Sequence, residues 1–184
     1  FALKPAGVLT QIVAFDAATG ACQLLREGTI LHASPAAGRV PVWIEAAASA
    51  LPEVRIEGRP PVPQRPAESC RQRMVRWPDA SGRMLDGLLV EPPRAPRPWP
   101  TVLLVHGGPA SPVYDALTRV DHLQPLAAAG YAVFFPAFRG TGGYEQDFVQ
   151  ANLGDLGDGP LDDCLRGLDH LARQGLADPA RLAV

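Results

Sequence analysis

Cysteine is scarce in this 184-residue chain, and the three present, Cys22, Cys70 and Cys164, lie far apart. No CxxC pair, Cys/His cluster or HExxH occurs, so a zinc site lacks its ligand spacing. The expectation is no metal and no cofactor. An odd, scattered set of thiols fits a reducing compartment, and a cytoplasmic location is expected on that ground. Long apolar runs are missing as well. None approaches the roughly 20 residues of a membrane span, so no membrane partner is expected. No signal peptide is visible, and the first residue is Phe1 rather than Met. Nucleotide motifs are absent too: RGTGGYE (139–145) has glycines but neither the lysine nor the spacing of a phosphate loop, and no GxGxxG opens a helix. DLGDGPLDD (155–163) has four aspartates without the alternating ligands and glutamate of a calcium loop, so helix-capping and solvated acids are the expectation.

What is present is the composition of a soluble globular protein, 47% apolar and 20% charged. The length suits one ordinary domain or parts of two. A net charge of −2 conceals an asymmetry: residues 1–100 carry twelve basic and nine acidic side chains, residues 101–184 five and ten. The basic residues are scattered arginines with no stripe, so no nucleic-acid partner is expected.

The first region reads as antiparallel. TQIVAFDAATGACQLLREG (10–28) has alternating residues, a turn at AATG and a return strand at CQLL. RVPVWIEAAASALPEVRIEG (39–58) predicts a second hairpin. Two hairpins cannot bury both faces of a sheet, so further neighbours are expected. PPVPQRP (60–66) and PPRAPRPWP (92–100) are proline-stiffened connectors. Between them CRQRMVRWPDASGRMLDGLLVEP (70–92) predicts another hairpin around PDASG.

From Thr101 the pattern changes. TVLLVHGG and YAVFFPAFRG (131–140) read as continuous apolar strands of a sheet covered on both faces. DHLQPLAAAGY (121–131) predicts a short helix that begins late because of Pro125 and closes at Gly130. DGPLDDCLRGLDHLARQG (158–175) predicts a helix with Leu161, Leu165, Leu168 and Ala172 on its inner face and Gly175 at its end. Asp162 and Asp163 are expected to complement its dipole, and Cys164 to lie on its inner side as a small hydrophobe. ADPARLAV starts a third buried strand. Strand, helix, strand, helix, strand is the opening of a doubly wound α/β domain, and the chain is read as a fragment that stops inside a strand.

Ligands gather at the carboxyl ends of strands in such sheets, where HGGP (106–109) lies. Glycines there can aim amide hydrogens at a substrate with no Cβ in the way, and such amides hold the oxyanion of an attacked carbonyl. A simple tight turn explains the same residues. His106 is expected to brace the loop by hydrogen bonds, because Ser111 has no GxSxG elbow around it and reads as a turn serine. His32, His122 and His170 are expected to be structural or solvated. Arg139 is expected either to pair with a later acid or to contact substrate.

VLLVHGGP (102–109), LAAAGYAVFFPAFRGTGGYEQDF (126–148), LGDLG (153–157) and DDCLRGLDHLARQGLADPARLAV (162–184) resemble the prolyl oligopeptidase family of serine peptidases. The resemblance implies the first half of an α/β hydrolase at 101–184, a propeller-to-hydrolase passage at 67–100, and antiparallel strands from the end of a β-propeller at 1–66. It implies a short peptide substrate, the backbone of Gly108 as an oxyanion donor, and His106, Gly107 and Arg139 around the substrate. The serine, aspartate and histidine of the triad would come from the remainder of the polypeptide or a second chain, leaving these residues inactive by themselves; a homo-oligomer is an open possibility. Ala137, TGGYE and Leu156 depart from the family pattern, which leaves the subfamily open. A carboxylic-ester hydrolase and a non-catalytic hydrolase-like binding protein are the alternatives.

Overall fold

The computed structural model describes residues 2–6, 9–16, 18–35, 41–47, 50–60, 70–108, 110–114 and 123–184. Pro109, His122 and the connector at 61–66 lie outside them, as does the side chain of His32. The first region is a five-stranded antiparallel meander: β1 (Ala2–Ala6), β2 (Leu9–Phe15), β3 (Cys22–Pro35), β4 (Pro41–Ala47) and β5 (Ala50–Ile56). Both expected hairpins are present. The turn between β2 and β3 is held by Asp16, whose Oδ1 accepts the amides of Ala18 and Thr19. Strand β3 is longer than either hairpin required. Residues up to Gly28 pair with β2, and residues from Thr29 pair with β4. The large buried residues of this sheet form one small cluster, Ile12, Ile30 and Trp43. Phe15, Leu24, Leu25, Val54 and Ile56 stay exposed. No closure into a propeller is found among the described residues.

The second sheet is mixed. Its strands are β6 (Gln72–Pro78), β7 (Met84–Val90), β8 (Trp99–Leu103), β9 (Ala132–Ala137) and β10 (Ala177–Ala183), in the order β10-β8-β9-β7-β6. β10, β8 and β9 run parallel, and β7 and β6 continue antiparallel. The segment read as a passage at 67–100 thus supplies two whole strands of this sheet, β6 and β7, and the first residues of β8. Helix α1 (Leu123–Ala128) connects β8 to β9, and α2 (Gln146–Val149) and α3 (Asp158–Arg173) lie between β9 and β10.

Period-two alternation decides which helix each strand residue meets. Val133, Phe135 and Ala137 of β9 pack with Leu123 and Ala127 of α1. Ala132 and Phe134 point to the opposite face, with Trp77, Cys164, Leu168 and Leu171. Every residue of β9 is therefore buried, as its continuous apolar sequence requires. Pro125 falls in the first turn of α1, and Gly130 takes φ 102 just beyond it.

Helix α3 corrects the sequence reading. Its buried residues are Pro160, Asp163, Cys164, Gly167, Leu168 and Leu171. Leu161 and Leu165, expected inside, are 54% and 47% exposed. The true inner stripe is turned by about one residue, close to 100°, and it contains an aspartate and a glycine. Gly167 is inside because a Cβ there would lie 2.6 Å from Phe134 Cζ and 3.0 Å from Trp77 Cε2. Asp163 is inside, fully buried, because it has an arginine to meet; it does not serve the dipole from a solvated position. Asp155 instead serves the helix N-terminus, accepting the amides of Asp158 and Gly159 at 2.9 Å.

Candidate active site

Strands β8 and β9 are parallel neighbours, so the segments that follow them emerge at the same edge of the sheet. His106–Gly108 follows β8, and Arg139–Gly143 follows β9. The two segments touch: a Cβ on Gly142 would stand 2.3 Å from the carbonyl oxygen of Ala110. The antiparallel sheet reaches the same place, where Leu9 and Ile30 share a cavity of about 220 Å³ with Pro112, Tyr114 and Gly143.

The His106 ring is held on three sides. It stacks on Phe138, with centroids 4.4 Å apart and planes 10° apart, and meets Phe135 edge-on at 6.0 Å. Nδ1 lies 3.1 Å from the carbonyl oxygen of Gly107, and Nε2 lies 2.8 Å from Thr141 Oγ1. A carbonyl only accepts, so Nδ1 donates to it. Burial holds the ring below its ordinary pKa, which favours the neutral form. In that form Nε2 is an acceptor, and the Thr141 hydroxyl donates to it.

Gly108 has φ 114, a backbone state that only glycine adopts readily. A Cβ there would also strike Ser111 Oγ at 2.2 Å. Among the described residues, neither the Gly107 nor the Gly108 amide donates a hydrogen bond to another backbone carbonyl. Both glycines line an apolar cleft of about 850 Å³, together with His106, Phe138, Leu161 and Leu165. The outward leucines of α3 therefore form a wall of this cleft. Ser111 packs beneath Gly108, and the ring nitrogens of His106 are engaged by Gly107 and Thr141, so these two residues do not make a nucleophile and base.

Arg139 lies outside the lining of the cleft. Its guanidinium forms a two-point ion pair with Asp163, Nε to Oδ2 at 2.8 Å and Nη2 to Oδ1 at 2.6 Å. Its backbone amide donates to the same carboxylate at 2.9 Å. The side-chain bonds to Asp163, and then the attraction of its charge, raise the Arg139 pKa above its already high ordinary value.

Sequence reasoning missed Thr141 and Asp163. Thr141 stood in a glycine run judged only as a phosphate loop, and a lone hydroxyl among glycines was the available signal. Asp163 reads only as a dipole acid, and the expectation that Arg139 pairs with a later acid does not single it out, because it lies 24 residues away. No group of three or more His, Cys, Asp or Glu placed to hold a metal occurs among the described residues. No helix among them is long and apolar enough to cross a membrane.

Residues 118–184 match the prolyl oligopeptidase family model. The chain is 35% identical over 113 residues to the uncharacterized peptidase YuxL of Bacillus subtilis, covering 60% of this chain and 17% of that protein. It is 32% identical over 136 residues to dipeptidyl aminopeptidase BIII of Pseudoxanthomonas mexicana, covering 71% and 19%. An acylamino-acid-releasing enzyme of Arabidopsis thaliana is 34% identical over 85 residues, covering 46% and 11%. The chain thus matches less than a fifth of the length of these relatives. Among solved structures, Pyrococcus horikoshii acylaminoacyl peptidase superposes with a TM-score of 0.76 at 20% identity, over 99% of this chain and 32% of that one. A puromycin-hydrolyzing peptidase of Mycobacterium tuberculosis gives 0.71 at 23% identity, over 95% and 31%. At these identities the likeness is one of fold. The family model, the sequence relatives and the fold thus concur in a likeness to the prolyl oligopeptidase family, carried in sequence by residues 118–184.

Proposed function

We propose that the polypeptide containing these residues is a serine-type peptidase that hydrolyses short peptides through an acyl-enzyme. A serine hydroxyl attacks the scissile carbonyl, the amine leaves, and water releases the acyl group. The Gly108 N–H donates to the oxygen that becomes negative during attack, and His106 and Gly107 shape the loop that presents it. Arg139 acts from beneath the substrate region through Asp163. No Ser-His-Asp set assembles among the described residues, so the nucleophile and its partners belong to other parts of the polypeptide or to a second chain. In the same reading, residues 1–66 derive from the end of a propeller and residues 101–184 from the hydrolase domain, with 67–100 between them.

The observation that carries this reading is the backbone of the loop. A trans peptide is planar, with its C=O and N–H pointing in opposite directions. The Gly107 carbonyl is turned onto the His106 ring, so the Gly108 N–H of the same peptide unit is aimed away from it. One such donor contributes about 2.7–4 kcal/mol to transition-state stabilisation.

The test uses the full-length protein on N-acylated aminoacyl anilides and short aryl esters, with Gly108→Ala as the variant. The positive φ and the Ser111 contact oblige alanine to turn this peptide. The expected result is anilide hydrolysis whose kcat falls on the order of 10²–10³-fold in the variant with KM nearly unchanged. An unaffected kcat removes Gly108 from the reaction. Ester-only turnover favours the ester-hydrolase alternative, and no turnover, with no covalent labelling by a fluorophosphonate, favours a binding protein.

A further inference from the structure

The ring that orients the Gly107–Gly108 peptide is itself oriented from elsewhere. Thr141 is fully buried, and its hydroxyl lies 2.8 Å from His106 Nε2. Its backbone is fixed within a turn, the Thr141 amide donating to the Phe138 carbonyl at 3.0 Å and the Gly140 amide to the Phe148 carbonyl at 2.9 Å. Arg139 ties the start of that turn to Asp163 by three bonds, and Asp163 is held on α3, whose own backbone carbonyl at this residue accepts Trp77 Nε1 at 2.9 Å. The hydroxyl is presented by a short, braced turn, and the imidazole is trapped between Phe138 and Phe135.

A threonine hydroxyl has one proton and can rotate to donate or accept. The contact at the other end of the ring shows which role it takes here. Nδ1 faces a carbonyl and must carry the ring proton, which leaves Nε2 to receive the hydroxyl proton. We propose that Thr141 is a positioning residue for the oxyanion loop: its hydroxyl, donating to Nε2, fixes His106 as the Nδ1–H tautomer, and that tautomer pins the Gly107 carbonyl and so aims the Gly108 N–H. The Arg139–Asp163 pair is the anchor of this relay. The assignment rests on the oxyanion role proposed for Gly108, but its first link, from Thr141 to the His106 tautomer, stands independently of any activity.

The experiment therefore has two readouts on the full-length protein. The first is ¹⁵N NMR of the histidine rings, with His106 assigned by the signal lost in His106→Gln. The wild type is expected to show a protonated Nδ1 and an unprotonated Nε2, and Thr141→Val to lose that single tautomer. A wild-type ring protonated at Nε2 instead overturns the proposal, without need of any variant. The second is peptide hydrolysis. Thr141→Val is expected to lower kcat on the order of 10²-fold, the effect of a small misplacement of a reacting group. KM should stay within about twofold, and Thr141→Ser, which restores the hydroxyl, should recover most of the loss. Equal kcat in Thr141→Val and wild type overturns the link to Gly108. If the wild type hydrolyses nothing, the peptidase reading fails while the tautomer measurement still decides the first link. Should Thr141→Val not fold, the wild-type tautomer and the kcat of Thr141→Ser and Thr141→Ala remain, and a Ser variant as impaired as the Ala variant contradicts the relay.

Discussion

The imidazole of His106 faces Phe138, Phe135, the Thr141 hydroxyl and the Gly107 carbonyl, none of which is ionised. Burial is the first cause of its lowered pKa, and no neighbouring acid among these contacts opposes it. The sign of the pH effect follows. Because the folded state holds the ring below its ordinary value of 6.5, the unfolded chain binds the proton more readily. The contribution of the ring to stability is complete above that value and is lost as the pH falls toward the depressed folded value. We expect hydrogen exchange at the Thr141 amide, which is bonded to the Phe138 carbonyl, to accelerate relative to intrinsic rates as the pH drops below 6.5 and His106 Nε2 stops accepting the Thr141 hydroxyl. Protection that stays flat through this window would contradict the half-buried neutral ring. The bracing role of His106 was legible in the sequence, since a histidine with no acid or elbow nearby has little else to do. Its partner was not legible, because Thr141 stands 35 residues away.

At the scale of the element, α3 shows how two opposed terms are weighed. Alanine is preferred to glycine within a helix by about 1 kcal/mol. Against that, a Cβ at Gly167 would come within 2.6 Å of the buried Phe134 ring, and forcing an extra carbon into a packed core costs about 1–3 kcal/mol. Gly167→Ala should therefore be destabilising by about 1 kcal/mol net, seen as a lower midpoint in chemical denaturation. A raised midpoint would mean that the core can give way. The existence and ends of this helix were plain from its repeat and from Gly175. Its inward face was misjudged because counting apolar residues passes over Asp163 and Gly167, and both are buried for reasons that lie on other strands.

Across the whole molecule, the two sheets differ in how much they bury. The mixed sheet has helices on both faces, whereas the antiparallel sheet keeps one small cluster and several exposed apolar residues. The cysteines sample both. Cys22 is exposed, and Cys70 and Cys164 are buried. Burial pushes the Cys164 thiol from 9.0 to about 12, which lowers its thiolate fraction near neutrality about 10³-fold. Iodoacetamide followed by peptide mass spectrometry should find Cys70 and Cys164 protected in the native protein and reactive after denaturation. Native labelling of Cys164 at its denatured rate would contradict the packing of α3 against β9.

The sequence alone determined the hairpins, the parallel strands, helices α1 and α3 and the glycine loop at the strand end. Those features depend on turn residues and on periodicities of two or 3.6, which act within a few neighbouring positions. The tertiary structure decided the inward face of α3, the pairing of Arg139 with Asp163 and the hydroxyl that meets His106. The two pairings join residues 24 and 35 positions apart, the face of α3 meets Trp77 from still farther away, and these contacts form only because β9 lies beside β8 with α3 packed across it. A local window carries the propensity of a segment. It does not carry the identity of the group that segment will meet.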